Sequence, residues 1–102
     1  MPWADSGKRV LRVFPDYSAD PVWDTQDAMV DLDTLGLSSR LVKALRAWAR
    51  EWERLLGPAF EVRDEEAHER WLSDGRRLAE RLQEEVGPSA QVVFAARRMD
   101  TQ

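Results

Sequence analysis

Between Lys8 and Phe14 the chain alternates: Val10, Arg12 and Phe14 fall on one side, Arg9, Leu11 and Val13 on the other. A run rich in β-branched and aromatic residues, closed by Pro15, predicts a strand. The period then vanishes. Pro15 to Gln26 carries two prolines among acids and hydroxyls and predicts a loop. Ala28 to Leu32 is apolar enough for a short second strand, which the pattern leaves open. From Ser38 to Leu56, Leu41, Leu45, Trp48, Trp52 and Leu55 recur at steps of three and four, and Val42 and Leu56 widen the stripe. That is an amphipathic helix. Ser38 is placed to cap its first turn, and Gly57-Pro58 to stop it.

Asp64 to Val86 predicts a second helix, with Ala67, Trp71, Leu78, Leu82 and Val86 on its apolar face. Asp64 can cap it, and Glu65 and Glu66 suit the positive end of its dipole. Gly75 lies on that same face, where glycine costs about 1 kcal/mol against alanine. The expected compensation is close approach of another element, such as the first helix; a break at Ser73-Asp74-Gly75 is the alternative. Gly87-Pro88 supplies the stop, and Ala90 to Ala96 predicts a last strand. Residues 1–7 and 97–102 read as flexible tails of one domain spanning 1–102.

Two amphipathic helices need an apolar surface to cover, and two strands alone make a marginal sheet. The fold class expected is therefore α+β: a small two-layer sandwich of order β-(β)-α-α-β, its helices packed on a short sheet. The first and last strands are expected to lie side by side. If Ala28 to Leu32 is not a strand, a sheet edge stays open to a second copy or a partner.

Composition narrows the function. The chain has 102 residues, 43% hydrophobic and 33% charged, which describes one globular domain with little room for a deep cleft. Five tryptophans are the large candidates for core or interface. With no cysteine there is no disulfide, thiolate nucleophile or cysteine-ligated zinc. No apolar run approaches a membrane span and no signal-like segment opens the chain, so a cytoplasmic location is expected.

The chemical motifs are sparse. His68 is the single histidine and flanks the second helix's apolar face, where packing is its ordinary role. Ser6-Gly7-Lys8-Arg9 lacks both the first glycine and the hydroxyl of a phosphate-binding loop. Asp16, Ser18 and Asp20 share the spacing of a calcium loop's first ligands, but Pro21 stands where glycine is required. No catalytic residue, metal or cofactor is expected. Arg40, Lys43, Arg50 and Arg54 form a basic stripe opposite the first helix's apolar face. The net charge of −4 argues against nucleic acid as its partner.

The charge is concentrated. Asp16, Asp20, Asp24, Asp27, Asp31 and Asp33 lie between Pro15 and Leu37 with no lysine or arginine among them. Tyr17 and Trp23 interrupt the first part of this run, which two prolines stiffen. Two readings stay open. In one, Tyr17 and Trp23 close the core at the sheet edge and the aspartates merely solvate a loop. In the other, Asp16, Tyr17, Asp20, Trp23, Asp24 and Asp27 engage a basic protein partner, the aromatics as anchors and the acids as steering charges.

The segments PDYSADPVWD, VDLDTLGLSSRLVKALRAWAREWE and GRRLAERLQEEVG resemble a group of small bacterial proteins frequent in actinomycete-type genomes, with no assigned activity. The resemblance implies a shared fold. In size and acidity the chain is also similar to toxin-neutralising immunity proteins. The function expected is a non-enzymatic protein-binding module, immunity- or antitoxin-like or regulatory. The alternatives are a structural homodimer and a small metal-binding or carboxylate-dependent enzyme.

Overall fold

A computed structural model describes residues 9–16, 18–56 and 64–95. The terminal tails, Tyr17 and the Gly57-Pro58 stop lie outside them. The elements follow the expected α+β order: strand β1 (Arg9–Val13), strand β2 (Val22–Trp23), helix α1 (Ser39–Leu55), helix α2 (Glu65–Val86) and strand β3 (Ala90–Phe94). The sheet runs β2-β1-β3. β1 and β3 pair in parallel, Arg9 opposite Ala90 through Val13 opposite Phe94, so the first and last strands are neighbours. Parallel neighbours need a long crossover, and both helices lie in it. Among the described residues no helix is long and apolar enough to cross a membrane.

The second strand is not where the apolar pattern put it. Val22 and Trp23, inside the expected loop, pair antiparallel with Val13 and Arg12. Ala28 to Leu32 contributes only an isolated bridge, Met29 opposite Trp23, with the Val30 amide donating to the Val22 carbonyl at 2.8 Å. The reason is local. Pro21 and Asp24 leave room for two extended residues only, too few for a period to show. The return is made by Asp24, whose Oδ1 accepts from the amides of Gln26 and Ala28 at 2.8 and 3.0 Å.

Both helices start as their caps dictate. Ser38 Oγ accepts from the Leu41 amide, and Asp64 Oδ1 from the Ala67 amide. α2 runs unbroken through Gly75 and ends at Gly87, whose φ of +65° suits a residue without a side chain. The predicted close approach at Gly75 is real: a Cβ there would lie 2.5 Å from Trp48 Cζ2 and 2.7 Å from Phe94 Cε1.

Leu11 and Val13 of β1, Leu41, Leu45 and Trp48 of α1, and Trp71, Ala79 and Leu82 of α2 share the main core with Val22, Val30, Leu32 and Ala90. At its centre the Trp48 and Trp71 rings stack, 4.4 Å between centroids and 3° from parallel. Each indole N–H donates to the other residue's carbonyl at 2.8 Å. Both polar ends of two buried tryptophans are thereby satisfied. Phe14, Trp23 and Ala95 form a smaller second cluster.

Two side chains tie the layers. Gln83 of α2 runs along β3 as a neighbouring strand would, its amide donating to the Ala90 carbonyl and its oxygen accepting from the Val92 amide. Glu85 reaches the start of α1, where its carboxylate accepts from both the amide and the hydroxyl of Ser38 at 2.7 and 2.8 Å. The Ser38 amide bond, then the hydroxyl bond, and then the Arg81 charge hold the Glu85 carboxyl below the ordinary glutamate range. A depressed folded-state pKa contributes stability above the unfolded value of about 4.3 and loses it as pH falls through the folded value. Urea unfolding from pH 7 to pH 2 should therefore show wild type more stable than Glu85→Gln at neutral pH, with the gap closing in acid. A gap constant down to pH 2 would rule this role out.

Candidate interaction surface

The acidic segment is a folded structure with its charges held in place. β1 supplies Arg12, a polar residue in an apolar strand, whose side chain is 11% exposed. Its Nε and Nη2 donate to the Asp24 carbonyl at 3.1 and 2.7 Å, and Nη2 also pairs with the Asp27 carboxylate. The guanidinium lies over the Phe14 ring. α1 supplies Arg46, which grips Asp20 in bidentate fashion, both contacts 3.1 Å, and lies 3.7 Å from Asp33. The hydrogen bonds to Asp20, reinforced by the charges of Asp20, Asp33 and Asp31, raise the Arg46 pKa further above its ordinary value. Glu53 of α1 accepts from the Ser18 amide at 2.9 Å. Bonds from the Ala28 and then the Gln26 amide hold the Asp24 carboxyl below the ordinary range.

The predicted residues divide accordingly. Asp20 is committed to Arg46 and Asp24 to its own turn. Asp27 pairs with Arg12 at φ +63°, a conformation aspartate tolerates, and keeps 55% of its side chain exposed. Asp33 keeps 71% of its side chain exposed. Asp16 is half-buried. Trp23 is an interior residue: its ring stacks on Phe14 at 4.9 Å, and its indole N–H donates to the Phe14 carbonyl. Tyr17 lies outside the described residues. The ties from Arg12, Arg46 and Glu53 were not anticipated. Arg12 alone left a trace in the sequence, as a cation within an alternating strand.

The basic stripe of Arg40, Lys43, Arg50 and Arg54 is exposed. Arg54 pairs within its own helix, with Glu51 at 3.1 Å, and the acidic segment is served instead by Arg46. On the groove between the helices, Ala44, Ala47 and Glu51 of α1 face Arg70, Asp74, Arg77 and Arg81 of α2 above the Trp48-Trp71 pair. Among the described residues no group of three or more histidines, aspartates or glutamates is placed to hold a metal ion.

The chain is thus a small α+β scaffold that fixes an array of charges on its surface. The chain belongs to the Serratia CdiI immunity protein-like family, whose family model matches residues 9–97. No curated protein matches the chain. Membership implies that the chain acts by binding a partner protein, and it suggests a role without catalysis.

Proposed function

We propose that this chain is an immunity protein that binds a toxin and neutralises it, meeting a basic surface of the toxin with the segment from Asp16 to Asp33. The observation that carries the choice of surface is the way Arg12, Arg46 and backbone amides lock this segment while Asp27 and Asp33 still present their carboxylates to solvent. Charges fixed before contact lose little freedom on binding, and a patch of one sign speeds encounter with the other. Trp23 supports the segment from beneath, and Asp16 and Asp24 extend its acidic face.

The test begins with co-expression of the chain and candidate toxin domains, to find one whose toxicity it relieves. Affinity for that domain is then measured by calorimetry at low and high salt. Asp20 and Asp24 hold the loop together, so the informative variant is Asp27→Asn with Asp33→Lys, which keeps asparagine at the left-handed position. Affinity should fall by roughly tenfold or more at low salt, and wild-type binding should weaken as salt rises. Relief of no toxin would end the immunity reading. Unchanged affinity in a folded variant would end the choice of surface alone.

A further inference from the structure

The acidic segment is not the only surface shaped for contact. We propose that the groove between α1 and α2 receives an amphipathic helix of a partner protein, with an acidic flank laid against α2. This goes beyond the immunity reading and does not depend on it, since none of the groove's residues belongs to the acidic segment.

The groove has a volume of about 560 Å³. Its floor is the Trp48-Trp71 pair, whose indole N–H groups are already spent on each other's carbonyls. Both rings are almost wholly buried, so the apolar surface a guest can reach is that of Ala44, Ala47, Ala67 and Leu78, and it suits aliphatic side chains. The two walls differ. On α1, Ala44 and Ala47 are small, so a guest backbone can come close. On α2, Arg70, Asp74, Arg77 and Arg81 follow one another at steps of four, three and four along roughly 16 Å of helix, three cations to one carboxylate, and Glu51 adds a carboxylate on the α1 side.

These cations are available. Among the described residues Arg77 pairs with exposed Asp74 at 3.3 Å, and Arg81 loosely with Glu85 at 3.8 Å. Arg70 has no ion pair among the described residues. Exposed pairs of this kind are worth little and exchange readily. A helix fits better than an extended strand because the polar groups along the walls are side chains. They can match carboxylates spaced at helical intervals, but they give a strand no backbone partners. The guest then has leucine-like residues at steps of three and four facing the alanines and Leu78, and glutamates or aspartates along the flank beside the arginines.

The probe is a synthetic helix of about 15 residues, long enough to span the groove, with leucines at those steps and glutamates on one flank. A copy with lysines replacing the glutamates is the control. Amide signals of Ala44 and Ala47 and the indole signals of Trp48 and Trp71 are followed by NMR in the full chain. The acidic helix should shift them, and the lysine copy should bind roughly tenfold more weakly or worse. Arg70→Glu with Arg77→Glu should reverse that preference. Ala47→Trp should fill the groove from an exposed position and abolish the shifts, with urea unfolding confirming that both variants fold. The proposal is overturned by an absence of shifts at roughly 1 mM acidic helix, by equal binding of the lysine copy, or by binding that survives Ala47→Trp. It is overturned equally by a single-stranded oligonucleotide that outcompetes the helix. Groove signals that move on dilution of the chain alone would identify a second copy as the occupant and overturn it too.

Discussion

Trp48→Ala should destabilise the protein by about 3–5 kcal/mol, the usual range for removing a large buried aromatic side chain. Against a typical total of about 5–15 kcal/mol, that leaves a domain close to unfolding. Trp48 is 5% exposed and stands where three elements meet. Its ring stacks on Trp71 of α2, leans on Phe94 of β3 with centroids 6.0 Å apart, and fills the space that Gly75 leaves open. Alanine would vacate the centre of this contact, and rigid rings cannot collapse far to fill it. The lost hydrogen bonds matter less than the lost volume. The Trp71 carbonyl sits within α2, where it also has its helical partner, but the Trp71 indole N–H must keep finding the residue 48 carbonyl without a ring to hold it in line. Urea unfolding measures the change directly. A loss below about 1 kcal/mol would mean that the stack is ornamental.

Gly75→Ala sets two effects against each other. Alanine is the better helix former by about 1 kcal/mol, and α2 has no bend at this position that needs glycine. Yet the new Cβ would lie 2.5 and 2.8 Å from two carbons of the Trp48 ring and 2.7 Å from Phe94. Both neighbours are rings, and one is clamped by its stack and its hydrogen bond. Overpacking of this kind costs about 1–3 kcal/mol, so a net loss is expected. The variant Phe94→Leu clears one of the two rings. In the double mutant the penalty of Gly75→Ala should shrink, and that coupling is the signature of a steric cause. A single mutant more stable than wild type would show that propensity wins.

These two sites mark how far the sequence could be read. The helices were legible because their apolar residues repeat over several turns and each is framed by a cap and a Gly-Pro pair. Gly75 was legible for a related reason. A glycine on an apolar helical face demands a close neighbour, and only the identity of that neighbour, Trp48 with Phe94 behind it, needed the fold. β1 showed its alternation and β3 its apolar run, and their adjacency followed from the need for a shared sheet. β2 was hidden because two residues carry no period, and Ala28 to Leu32 drew attention by apolarity that serves core packing at Val30 and Leu32 instead.

The interaction surface was read less completely. Concentration of aspartates is a property of composition and needs no fold to be seen. Whether Trp23 faces inward is a matter of tertiary placement, and a sequence of alternating acids and aromatics is compatible with either side. The partners of the acids lie far along the chain. Asp20 and Arg46 are 26 positions apart, and Ser18 and Glu53 are 35 apart. No local rule selects Arg46 over its neighbours Lys43 or Arg50 for that task. The groove on the helix pair was likewise out of reach, since Ala44, Ala47 and Arg70 acquire a common purpose only when two helices are set side by side.

The pairing of β1 with β3 carries a consequence for how the protein comes into being. Arg9 waits for Ala90, roughly eighty residues later in synthesis. At bacterial-scale elongation of about 5–20 residues per second, β1 spends about 4 to 16 s with its outer neighbour unmade. The hairpin-like contact with β2 can form early, but the parallel partner, and with it part of the floor under α2, comes after both helices. A ribosome stalled between α2 and β3 would thus hold a chain whose two helices lack one strand of the sheet they pack on. Whatever protection the protein confers is delivered all at once, when β3 has been made and paired, rather than accumulating as the chain grows.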